Sequence, residues 1–139
     1  MRKGSHTQYD LQCHIVWTTK YRYRVLYGKI AERVRELIRQ SCNSMNVTII
    51  RGAIGREHIH ILISYPPNES ISKIVQQLKG KTSRVLLAEN KNLNKRYWGQ
   101  HLWATGYFVR SVGFITQEVI KEYIENQQDE YTENFKIVE

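Results

Sequence analysis

Residues 55–67 read GREHIHILISYPP, and the eight at their centre, HIHILISY (58–65), constrain the fold more than any other stretch. Successive side chains of a strand point to opposite faces, so Ile59, Ile61 and Ile63 fall on one side and His58 and His60 on the other. A strand with one wholly apolar face needs a sheet to carry it and a second layer to cover it. The preceding NVTIIRGAIG (46–55) reads as another strand, ending at Gly52 or Gly55. The short Gly55–Arg56–Glu57 link makes the two an antiparallel hairpin.

The covering layer is also visible. KIAERVRELIRQSCNSM (29–45) places Ile30, Val34, Leu37 and Ile38 at helical spacing, and ISKIVQQLKGKTSRVLLAEN (71–90) does so with Ile71, Ile74, Val75 and Leu78. Asn68 or Ser70 is the candidate N-cap of the second helix, and Gly80 weakens it locally. YDLQCHIVWTTKYR (9–22) alternates as a first strand, with Tyr9, Leu11, Cys13, Ile15 and Trp17 on one face. YFVRSVG (107–113) is a fourth strand and 91–106 a loop. TQEVIKEYIENQQDE (116–130) is a final helix, capped by Thr116, and the tail to Glu139 has no strong periodicity. The order β-α-β-β-α-β-α predicts an α/β (α+β) fold of ferredoxin-like type: an antiparallel sheet with helices on one face and the other face free. No repeat or linker divides the 139 residues, so residues 1–139 are expected to form a single domain.

Composition bears on partners. Lys and Arg outnumber Asp and Glu by 21 to 13, a formal charge of +8, which favours a polyanion, nucleic acid before an anionic membrane surface. There is no run of eighteen apolar residues, so no membrane span, and MRKGSHTQYD lacks the apolar core of a secretory signal. A cytoplasmic protein is expected. Cys13 and Cys42 form no C-x-x-C pair and are expected to be reduced, partly buried thiols.

His58 and His60 project side by side and suit one metal ion, which then needs a third ligand and an open position. The last helix offers one. Tyr123 and Gln127 are four apart and share a helical face. A Gln carboxamide oxygen suits Mg²⁺ or Mn²⁺ beside imidazole nitrogen, and a tyrosine hydroxyl near such an ion is a candidate nucleophile toward a phosphodiester. On spacing alone Asn126, Gln128, Glu122 and Glu125 are rival ligands, though none keeps the i+4 relation to Tyr123. Lys79, Lys81 and Arg84 are candidate phosphate contacts or a solvated helix face. His14, if its strand is regular, faces the DNA side or is a hydrogen-bonded structural histidine. Trp98 and Trp103 either stack on bases or cap the core.

These residues together are familiar. The chain resembles the small single-tyrosine HUH transposases of bacterial and archaeal insertion sequences, U being a bulky hydrophobic residue; here the triplet is His58-Ile59-His60. SHTQYDLQCHIVWTTKYRYRVL looks like the family's first strand and loop, LKGKTSR like its second-helix segment, YWGQHLWATGYFVRSVG like its approach to the fourth strand, and IKEYIENQ like its catalytic helix. The resemblance implies an RNA-recognition-motif-like sheet with a C-terminal catalytic helix. It implies that Tyr123 attacks single-stranded DNA to give a 5′-phosphotyrosine and a free 3′-OH, while His58, His60 and Gln127 hold Mg²⁺ or Mn²⁺. It further implies a homodimer with active sites shared in trans, acting on single-stranded DNA with hairpin ends. Glu57 stands where many relatives have Asp, and is either a spectator or the partner that orients a histidine. Two other functions use the same residues: a hairpin-binding module without catalysis, and a metal-dependent phosphodiesterase that activates water. Histidine ligation also implies that activity falls below about pH 6, as the imidazoles protonate.

Overall fold

In a computed structural model of the protein, the residues described are 2–3, 8–9, 11–112 and 134–138. The expected helix over 116–130, with Thr116, Tyr123 and Gln127, lies outside them.

Two short pairing segments, β1 (Arg2–Lys3) and β2 (Gln8–Tyr9), precede the main sheet. That sheet is built from β3 (Leu11–Thr18), β4 (Thr48–Ile54), β5 (His58–Tyr65), β6 (Phe108–Ser111) and β7 (Phe135–Ile137), in the order β6-β3-β5-β4-β7. Its first four members are antiparallel, with β3 and β5 central. This is the ferredoxin-like arrangement expected from the element order. Helices α1 (Gly28–Ser44) and α2 (Ile71–Glu89) cover one face, and a short α3 (Lys91–Arg96) follows.

The core lies between this face and the helices. Cys13, Ile15 and Trp17 of β3 and Ile59, Ile61 and Ile63 of β5 meet Ala31, Val34, Leu37 and Ile38 of α1 and Ile74, Val75 and Leu78 of α2, all buried. Full burial of each such aliphatic side chain contributes about 1.5–3 kcal/mol. The alternation in β5 and the 3.6-residue spacing in the helices are therefore two halves of one contact. Ser70 caps α2, its hydroxyl accepting from the Lys73 backbone N–H at 3.2 Å.

Several expectations need correcting. The first strand ends at Thr18, not at residue 22, because Lys20–Arg22 form a tight 3-10 turn in which Tyr21 and Arg22 take positive φ. Leu11, at the strand end, is exposed. Residues 91–96 are helical rather than loop; Leu93 is the one apolar residue there, too few to show periodicity. α2 runs through Gly80 unbroken. The tail supplies a fifth strand, β7, parallel to β4 and anchored by the buried Phe135. Cys13 and Cys42 are free and fully buried, not partly so, and burial pushes their thiols up to about 11 and about 12.

Candidate functional site

The face of the sheet opposite the helices carries the even-numbered residues of β3 and β5. Thr18 lies opposite His58 and Val16 opposite His60, while His14 lies opposite Leu62. On the outer strands, Phe108 pairs with Val16 and Arg110 with His14; Ala53 pairs with His60 and Arg51 with Leu62; Lys136 pairs with Ala53. The β-bulge between Ile49 and Arg51 is what sets Arg51 in register with Leu62 and so on this face. The face is not free throughout. Gln12, Leu62 and Ser64 are buried, whereas His60, Phe108 and Lys136, and also Arg51 and Arg110 on the outer strands, are exposed. A cavity of ≈ 370 Å³ opens beside His60 between Arg51, Ala53, Leu62 and Lys136.

The two histidines share this face, as their spacing requires, and each ring has a partner. His58 donates its Nδ1–H to Glu57 Oε1 at 2.9 Å. For a neutral ring, that bond puts the proton on Nδ1 and leaves Nε2 with its lone pair, the tautomer in which a carboxylate can orient a metal-binding imidazole. Of the two readings of Glu57, the hydrogen bond supports the partner of a histidine. The hydrogen bond from His58, then the charges of His58, Arg24 and Arg22, hold its carboxyl below the ordinary range. Arg24 approaches its other oxygen at 3.6 Å. Gly55 gives the ring room: a Cβ there would stand 2.4 Å from His58 Cε1.

His60 is held from across the sheet. Its Nε2 lies at hydrogen-bond distance, 3.1 Å, from His14 Nδ1, and either ring can be the donor. Desolvation lowers both pKa values. The charges of His58 and Arg51 add to this at His60, and those of His60, Arg51 and Arg110 at His14. The neutral imidazoles that a divalent ion needs are thereby favoured. Two imidazoles on one face, one with a carboxylate-fixed tautomer, fit Mg²⁺ or Mn²⁺ as part of a ligand set. Among the described residues no group of three His, Cys, Asp or Glu completes it, and Gln127, like Tyr123, lies outside those residues.

The other candidates are dispersed. Lys79 donates to the carbonyls of Ala104 and Gly106, each at 2.8 Å, and so ties α2 to the segment before β6. Lys81 and Arg84 line a groove between α1 and α2, on the helical layer and not on the histidine face. Trp103 is buried, its indole N–H donating to Thr82 Oγ1 at 2.8 Å, whereas Trp98 is exposed. Sequence reasoning passed over Arg51, Phe108, Arg110 and Lys136, which stand on the histidine face through strand register alone.

A ferredoxin-like sheet with an H-x-H pair on one strand is the arrangement expected of the class of HUH tyrosine transposases. Within that class the chain belongs to the IS200-like transposase family, which it matches over residues 7–127. It is 32% identical to the ISDra2 transposase TnpA of Deinococcus radiodurans over 129 residues, 93% of this chain and 92% of that protein. It is 35% identical to the transposase for insertion sequence element IS200 of Salmonella typhimurium over 126 residues, 91% of this chain and 82% of that one. A crystal structure of a candidate transposase from Deinococcus radiodurans superimposes with a TM-score of 0.74 at 31% identity, over 91% of this chain and 98% of that one. A REP-associated tyrosine transposase bound to a REP hairpin shares the fold, with a TM-score of 0.58 at 12% identity over 96% and 77% of the two chains. Among the described residues no helix is long and apolar enough to cross a membrane.

Proposed function

We propose that the protein cuts and rejoins single-stranded DNA at the ends of an insertion sequence through a 5′-phosphotyrosine. The observation that carries this reading is the pair of histidines on one exposed sheet end, His58 with its tautomer fixed by Glu57, in a chain of the IS200-like transposase family. His58, His60 and Gln127 would hold Mg²⁺ or Mn²⁺. When bound, the ion polarises the scissile phosphate and offsets charge developing on its oxygens.

The chain's own groups do the rest. Tyr123 Oη forms a bond to phosphorus, the bond to the 3′-oxygen breaks, and the phenolic proton is balanced by the one gained at the new 3′-OH. The reverse attack by a 3′-OH of another strand releases Tyr123, so no nucleotide triphosphate is consumed. Glu57 keeps His58 in the metal-binding tautomer. Arg51, Arg110 and Lys136 supply positive charge on the same face for the DNA backbone, and Phe108, 62% exposed and across Val16 from His60, supplies an aromatic surface. The DNA is single-stranded with hairpin ends, and the active unit is a homodimer whose sites are shared in trans.

The test is a denaturing gel after incubation with Mg²⁺ or Mn²⁺ and labelled single-stranded DNA carrying the element's hairpin ends. A covalent protein–DNA band that needs the metal and vanishes in Tyr123→Phe and in His58→Ala is the expected result. Cleavage without a covalent band, persisting in Tyr123→Phe, would replace this reading with hydrolysis. Hairpin binding with neither product would replace it with a binding module.

A further inference from the structure

A second surface adjoins the histidine end of the sheet. Residues 19–27, between β3 and α1, are clamped there. The Thr19 N–H donates to the Glu57 carbonyl at 2.9 Å, the Leu26 N–H to the Arg56 carbonyl at 3.0 Å, and the Lys20 N–H to the Leu102 carbonyl at 2.8 Å. At the tip, Tyr21 (φ 64°) and Arg22 (φ 54°) occupy the left-handed region. Bulky L-residues there cost about 1–2 kcal/mol each, and such outliers persist where the surroundings impose them. The imposed geometry presents an aromatic ring. Tyr21 lies parallel to the buried Tyr97, 9° between planes and 6.4 Å between centroids, yet is 58% exposed. The next residue after Tyr97 is Trp98, also at positive φ and 81% exposed. One exposed aromatic thus stacks on the buried Tyr97 ring, and a second, Trp98, follows Tyr97 in the chain.

Their surroundings are cationic. Lys20 Nζ lies 5.3 Å from the Tyr21 ring centroid, and the Arg96 guanidinium 4.2 Å from that of Tyr23. Arg22, Arg24 and Lys95 adjoin them in sequence, and neither residues 11–31 nor residues 90–117 contain an Asp or Glu. Exposed π-faces among positive charges match unpaired bases on a phosphate backbone.

We propose that Tyr21 and Trp98 form a stacking platform for unpaired bases of the DNA strand, next to the His58 end of the sheet. The inference rests on the single-stranded DNA reading above and adds where that strand is gripped outside the metal site. The platform acts on bases irrespective of sequence, since each base offers a π-face, while the surrounding Lys and Arg hold the phosphates.

The experiment titrates the full-length protein with a fluorescein-labelled oligo-dT of fifteen or so nucleotides and with a duplex of equal length. The same oligonucleotide, unlabelled, is used to follow tryptophan emission. Trp17 and Trp103 are buried, so quenching reports Trp98. The expected result is quenching by the single strand and not by the duplex. Tyr21→Ala and Trp98→Ala should each weaken binding about tenfold, with an unchanged salt slope, and Tyr21→Phe and Trp98→Phe should restore it. Wild-type binding that is equally strong in both alanine variants would overturn the platform alone and leave the transposase reading standing. A weakened variant with a reduced salt slope and no rescue by Phe would assign the effect to charge and also overturn it. Variants that elute as monomers where the wild type is a dimer would make the surface an interface between copies. No binding of any single strand by the wild type would overturn the DNA reading and the platform together.

Discussion

Strand β5 presents three isoleucines to one side of the sheet and two histidines to the other, and the two faces obey different rules. On the core side, Ile59, Ile61 and Ile63 are wholly buried, and hydrophobic periodicity fixes their place. On the other side, periodicity fixes only that His58 and His60 share a face. What each imidazole can do is set by one polar neighbour, Glu57 for His58 and His14 for His60. The first neighbour is adjacent in the chain and the second is 46 residues away. The core face is set by which apolar groups fill it; the histidine face is organised by single hydrogen bonds.

The contrast is sharpest in paired substitutions. On the proposed metal site, His58→Ala and His60→Ala should each reduce strand cleavage on the order of a thousandfold or more, the loss expected when several kcal/mol of metal-derived stabilisation is removed. The thermal melt should stay near wild type. An H-to-A variant that unfolds the protein would erase the distinction between the faces. Ile61→Ala should do the reverse, costing about 2–5 kcal/mol of stability in chemical denaturation with little change in the activity of the molecules that remain folded. Glu57→Gln should weaken Mn²⁺ binding about 10- to 100-fold by calorimetry, as loss of an orienting carboxylate does. Gly55→Ala should act in the same direction, since its methyl group occupies the space of the His58 ring; unchanged affinity in both would remove the orienting role.

The smallest effect concerns pH. Desolvation, then the charges of His58 and Arg51, lower the pKa of His60. Its ring therefore stays neutral further into acid than a free histidine near pH 6.5, and proton competition with the metal at this position sets in below that value. Arg51→Ala removes a charge that opposes protonation, so the pKa should rise slightly and the loss of Mn²⁺ affinity should begin at a higher pH. An NMR titration of His60 in both proteins checks the direction, and a fall in pKa on removing Arg51 would contradict it.

Much of the fold was legible because burial leaves a periodic trace. The alternation of Ile59, Ile61 and Ile63 and the spacing of Val34, Leu37 and Ile38 predicted the strand, the helix and the contact between them. Elements without such a trace escaped. β7 has three residues and a single buried one, Phe135, and its parallel pairing with β4 joins segments some eighty residues apart. The 3-10 turn at Lys20–Arg22 was hidden because Tyr21 and Tyr23 look like strand residues, and only the backbone angles reveal the reversal. The site divides the same way. His58 and His60 follow from an i,i+2 spacing, and Glu57 stood beside them in the sequence with its role undecided. The contact of His14 with His60, and the arrival of Arg51, Arg110 and Lys136 on the same face, depend on strand register and a bulge, which local patterning does not encode.

The most direct measurement is a Mn²⁺ titration, by calorimetry or electron paramagnetic resonance, of the wild type, His58→Ala, His60→Ala and Ile61→Val. One Mn²⁺ site per chain is expected, lost in both histidine variants and kept in Ile61→Val. Mn²⁺ bound with wild-type affinity after removal of either histidine would contradict the claim that this face of β5 holds the metal.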